Sequence, residues 1–102
     1  MAEGREGMFV ILLHYCKPLE VIDEWKEAHF QYMDEQYEQG AFICSGRKEP
    51  RTGGVILASG DDEEQLWETI RKDPFYIRQA AEYQAIRFIP SRFDERFRCF
   101  VD

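Results

Sequence analysis

Runs of strand-forming and helix-forming residues alternate here in a single order: strand, long helix, strand, strand, helix, strand. Two β-α-β halves within one short chain leave few architectures open. The first run, Met8 to Tyr15, is almost wholly apolar and rich in strand formers, so both of its faces are expected to be buried, as in a central strand. Pro18 suits the first turn of a helix, where a missing N–H is no loss. From Leu19 to Gln39, Ile22, Trp25, His29, Tyr32, Met33 and Gln36 recur at helical steps and share one face, and Gly40 closes the helix. Residues 41–45 form the second strand and 55–58 the third, joined by a loop with Pro50, Gly53 and Gly54 that is short enough for antiparallel pairing. Asp61 to Glu64 is a strong helix start, with Asp61 the expected cap and Glu64 reaching back. Leu66, Trp67 and Ile70 are its buried face, Asp73-Pro74 begins a further short turn, and the last strand runs from Tyr83 to Pro90.

This order implies an α+β fold of the ferredoxin-like type: a four-stranded antiparallel sheet with both helices on one side, because right-handed crossovers place them there. The other side of the sheet is then bare. About eight large side chains would face water there, each worth roughly 1.5–3 kcal/mol once buried. Such a patch marks a binding surface. A second copy of the chain, covering it about a two-fold axis to form a dimeric α/β barrel, is the expected homodimer. Residues 1–7 are expected to be a flexible start, 8–90 the domain, and 91–102 a tail docking on its own or the partner subunit through Phe93, Phe97, Phe100 and Val101.

A length of 102 residues fits one domain. The formal net charge is −7, with acids spread over both helices. Nucleic-acid backbones and anionic membranes need clustered cations, so neither is an expected partner. No apolar stretch reaches the length of a membrane span, and the first residues lack the apolar segment of a signal peptide. Three cysteines without CxxC spacing suggest neither a disulfide framework nor a zinc site. Cys16 and Cys44 end apolar runs and are expected to pack as small hydrophobes. The default setting is cytoplasmic.

The residues that carry chemistry are His29, in the apolar stripe of the long helix, and Asp73, in the turn before the last strand. Each has a plain structural role open to it: His29 as a core residue bonded to a carbonyl, Asp73 as the cap of the turn it begins. Brought together, they would form an acid/base pair, the carboxylate fixing which ring nitrogen holds the proton. No nucleophile elbow, phosphate-binding loop, dinucleotide fingerprint or metal-ligand spacing stands out, so no cofactor and no metal are expected.

Phe9 to Leu13, His29 in the following helix, Ser45-Gly46, the Pro50-Arg51-Thr52-Gly53-Gly54 turn and Asp73-Pro74-Phe75 together resemble the YciI-like (YCII-related) proteins over residues 8–90. The resemblance implies the dimeric α/β-barrel fold, a His-Asp pair in a pocket mapping onto His29 and Asp73, and Ser45 lining that pocket. Arg47 stands where the family's Ser-Gly-Pro segment has proline. It can select an anionic ligand or face solvent. One branch of the family carries out a lyase-type elimination on chlorinated hydroxyquinols, and nothing in this sequence assigns the chain to it.

The leading functional expectation is a small-molecule enzyme doing proton transfer, of the lyase or isomerase type. His29 would be the acid/base, Asp73 its orienting partner, Ser45 a hydrogen-bond donor, and Trp25, Tyr32 and Phe75 the walls. A non-catalytic module that binds or senses a small molecule in the same pocket is the alternative, followed by a structural interaction dimer.

Overall fold

The sheet is built around β1 (Met8–Tyr15), which has a partner on each side. The order is β2-β3-β1-β4, with β2 spanning Phe42–Arg47, β3 Gly53–Ser59 and β4 Ala81–Phe88, and every pairing is antiparallel. Between the strands lie α1 (Leu19–Glu38), α2 (Glu63–Ile70) and the short α3 (Pro74–Ile77); a 3-10 helix, Glu95–Phe100, follows the last strand. This computed structural model describes residues 7–101. The expected flexible start over residues 1–7 therefore lies outside the described residues except for Gly7, which is buried and donates its N–H to Asp61 at 2.7 Å.

Alternation along β1 assigns the two faces of the sheet. Phe9, Ile11 and Leu13 are buried and pack with Ile56 and Ala58 of β3 against Ile22 and Met33 of α1, Leu66 and Ile70 of α2, and Phe75 of α3. On the opposite face the register aligns Val10 with Leu57 and Ile86, and Leu12 with Val55. Val55, Ile86 and Phe88 are exposed there, and Val10, Leu12 and Leu57 are half-buried. The expected eight water-facing side chains is thus too many. Met8 is already buried, and neighbours on flanking strands shade the central positions.

Local chemistry shifts several ends. Pro18 is the N-cap of α1 rather than a first-turn residue, because its extended ψ of 155° lies outside the helix while its carbonyl accepts from Val21 and Ile22. Gly40, at φ 78°, takes the left-handed conformation that ends α1. Asp62, not Asp61, caps α2, accepting the N–H groups of Glu64 and Gln65. Asp61 is committed elsewhere, to Gly7 and to Arg87 of β4 at 2.5 Å. Gly53 and Gly54 belong to β3 instead of the loop. At Gly53 a Cβ would stand 1.8 Å from the carbonyl oxygen of Leu13, so only glycine lets these strands meet.

A bulge in β2 corrects the reading of Cys44. Phe42 pairs with Ala58 and Cys44 with Leu57, so two steps on β2 answer one on β3. Cys44 therefore leaves the core side and is exposed. Cys16, in the bend beyond β1, is exposed as well, because the strand has already left the core.

Candidate functional site

Asp73 is the hub of the site. It caps α3, its Oδ1 accepting the N–H of Phe75 at 2.9 Å, and Pro74 supplies the first helical position without needing a partner. The same Oδ1 lies 2.8 Å from Nδ1 of His29, 44 residues earlier on α1. Oδ2 accepts the hydroxyl of Tyr83, on β4, at 2.6 Å. The carboxylate is 0% exposed and His29 is 8% exposed. The two plain roles and the pairing thus coexist: one carboxylate both caps a turn and holds an imidazole.

The hydrogen bonds fix the tautomer. A carboxylate already taking an amide N–H and a phenol O–H is an acceptor, so Nδ1 of His29 donates to it. The lone pair of the neutral ring is then on Nε2, and no other hydrogen bond to the ring is made among the described residues. Phe75 lies flat against the imidazole, with centroids 4.1 Å and planes 10° apart, which holds the ring's orientation. Burial pushes the Tyr83 hydroxyl well above the usual phenol range, and the negative charge of Asp73 raises it further. Tyr32 is raised for the same two reasons. Tyr83 therefore keeps the proton that it donates.

His29 and Phe75 line a cavity of about 520 Å³ between α1 and the β2–β3 half of the sheet, a size suited to a small organic molecule. Ser45 and Arg47 line it from β2. The hydroxyl of Ser45 is 2.6 Å from that of Tyr37, in the last turns of α1. Asp73 stands behind His29 and does not reach the cavity surface.

Two expected wall residues are elsewhere. Trp25 packs at the edge of the core with the guanidinium of Arg78 over its ring, 4.1 Å from the centroid. Tyr32 turns toward α2, donating to the carbonyl of Thr69 at 2.6 Å. Both share the apolar stripe of α1, but that stripe is wide enough to serve the core and the cavity at different angles. Residues that the sequence reading missed are Tyr83, Tyr37, Lys26 and Arg51. Tyr83 stands in an alternating strand like any half-buried aromatic. Lys26 and Tyr37 fall on the polar edge of the helix, where charge and hydroxyl look like solvated surface. Arg51 is placed by Asp23 of α1, 2.5 Å away, whose carboxyl it holds below the usual range.

Among the described residues, no three His, Cys, Asp or Glu side chains gather as metal ligands, and no helix is long and apolar enough to cross a membrane.

The architecture is similar to that of SnoaB, a cofactor-independent oxygenase from Streptomyces nogalater. A crystal structure of a SnoaB variant matches with a TM-score of 0.50 and 11% identity, covering 90% of this chain and 99% of that one. At that identity the likeness concerns the fold. No curated protein matches the sequence significantly. The YCII-related domain matches residues 8–89, a span that takes in the whole sheet, His29, Ser45 and Asp73. The chain belongs to the YCII-related family.

Proposed function

We propose that this protein is a small-molecule enzyme that moves a proton, in a lyase- or isomerase-type reaction, inside the His29 cavity of a homodimer. The observation that carries this reading is the 2.8 Å bond from Nδ1 of His29 to a carboxylate that only accepts, on a ring that borders a cavity of about 520 Å³. Nε2 is left as a base. It takes a proton from an acidic carbon of the substrate, and the released electron pair either delocalises onto an adjacent carbonyl oxygen or expels a leaving group from the neighbouring carbon. The imidazolium formed is stabilised by Asp73, then returns its proton to another carbon or to the leaving group. Acid/base catalysis of this kind contributes about 10²–10⁴ in rate. Ser45, paired with Tyr37, is a hydroxyl donor for a substrate oxygen. The homodimer is supported by the exposed Val55, Ile86 and Phe88 on the uncovered sheet face.

The test is solvent hydrogen exchange. Wild type and His29→Ala are incubated in deuterated buffer with a panel of small carbonyl compounds, and deuterium uptake is read by mass spectrometry. The expected result is uptake that falls at least about a hundredfold in the variant while sedimentation shows the same dimer. Equal uptake by both proteins would remove His29 from the reaction.

A further inference from the structure

The cavity lining divides into two chemistries. Leu13, Ile22, Met33, Ile56 and Phe75 give an apolar floor beside the imidazole. The rim carries Lys26 from α1, Arg47 from β2 and Arg51 from the β2–β3 loop, with Asp34 the acid among the lining residues. Cations thus gather at one place in a chain whose formal net charge is −7. A cleft with low-dielectric walls focuses such a field on whatever enters it.

The rim cations are not equally free. Arg51 is held by Asp23 at 2.5 Å, which positions and neutralises it. Lys26 is 3.8 Å from the same Asp23. Arg47 is 3.8 Å from Glu49, with the two side chains 70% and 84% exposed. Long, solvated pairs of this kind contribute little. The Arg47 guanidinium can therefore leave Glu49 for a better partner, and its planar fork suits a carboxylate bound through two oxygens. Asp34 opposes a second negative charge on the ligand.

We infer that the substrate of the proton-transfer reaction proposed above is a small organic monoanion: a carboxylate held by Arg47, on an apolar, preferably flat body that lies over the floor and offers its C–H to Nε2 of His29. The inference rests on that reading for the reaction, but the anion site stands on the rim residues alone.

The probes are benzoate and benzyl alcohol, nearly the same body with and without the charge. Each is titrated at millimolar concentration into the full ¹⁵N-labelled chain, and the His29 ring and Ser45 amide signals are followed by NMR. Benzoate is expected to shift both saturably, and benzyl alcohol to bind about tenfold more weakly or worse. Arg47→Glu should weaken benzoate by about tenfold or more. Equal binding of the two probes, unchanged benzoate binding by Arg47→Glu, or no shift with either probe would overturn the inference. Benzoate binding that survives in His29→Gln, with deuterium uptake lost, supports both the anion site and the reaction. Selective benzoate binding by a wild-type protein that exchanges no hydrogen would uphold the anion site while sinking the catalytic reading.

Discussion

Tyr83 donates its hydroxyl to Oδ2 of Asp73 at 2.6 Å, while His29 takes the other oxygen, so the imidazole and the phenol share one carboxylate without competing. Replacing Tyr83 by Phe removes that donor and leaves Oδ2 buried without a partner. The expected cost is about 1–3 kcal/mol of folding stability, measured by chemical denaturation. A Tyr83→Phe variant as stable as wild type would show that water or a side-chain shift satisfies the oxygen instead.

Asp73→Asn separates charge from architecture. Asparagine is as good an N-cap as aspartate, so α3 should persist with little loss of stability. An amide whose oxygen caps Phe75 presents that same oxygen to Nδ1 of His29, so the tautomer is expected to persist while the negative charge that stabilises the imidazolium is lost. Nitrogen chemical shifts of the His29 ring should report the same tautomer, while turnover should fall about 10²–10⁴-fold. Unchanged turnover would show that the charge of Asp73 takes no part in the reaction and that its carboxyl serves the turn and the ring's orientation alone.

The tyrosines give the fold a pH dependence at the alkaline end. Burial and the charge of Asp73 raise both Tyr83 and Tyr32 above the ordinary phenol value of 10.0. The fold thus favours the protonated form. That contribution is complete below the unfolded-state value and drains away as pH climbs past it toward the folded-state values. Denaturation midpoints should hold steady to about pH 10 and fall above it. Phenolate absorbance should show two tyrosines resisting titration until the chain unfolds. Ordinary titration of all the tyrosines in the folded protein would contradict the buried network.

Phe75 serves both the core and the site, being 2% exposed and stacked on His29. Phe75→Ala should destabilise by about 3–5 kcal/mol through the cavity it leaves. Phe75→Leu, which fills most of that space without a flat face, should cost less stability while still impairing turnover.

A charge on the uncovered sheet face tests the homodimer. Ile86 is 44% exposed on that face. Ile86→Glu should fold, since its side chain is already near solvent, and should sediment as a monomer at micromolar concentration. A variant that stays dimeric would move the interface to another surface.

The element order was legible because local signals agreed: an apolar run for β1, a helical stripe ended by Gly40, an acidic cap before α2, and Asp-Pro before α3. His29 and Asp73 stood out for a similar reason, since each breaks the pattern of its own segment. What stayed hidden depends on neighbours in space. Trp25 and Tyr32 share a stripe with His29, and periodicity alone does not say where along that stripe the core ends and the cavity begins. Asp61 looks like a cap until Arg87 and Gly7 claim it. Tyr83 acquires its role from a turn ten residues earlier.

The irregularity between Phe42 and Cys44 in β2 reaches further than strand geometry. Strict alternation from Phe42 would send Cys44 and Gly46 inward; the added residue reverses the phase and delivers Ser45 and Arg47 to the cavity. Because Ile43 is the added residue, its in-frame loss would restore strict alternation with Cys44 still turned outward and Ser45 and Arg47 still on the cavity side. The ligand-facing side chains of this edge strand are thus buffered against the loss of one residue from its length.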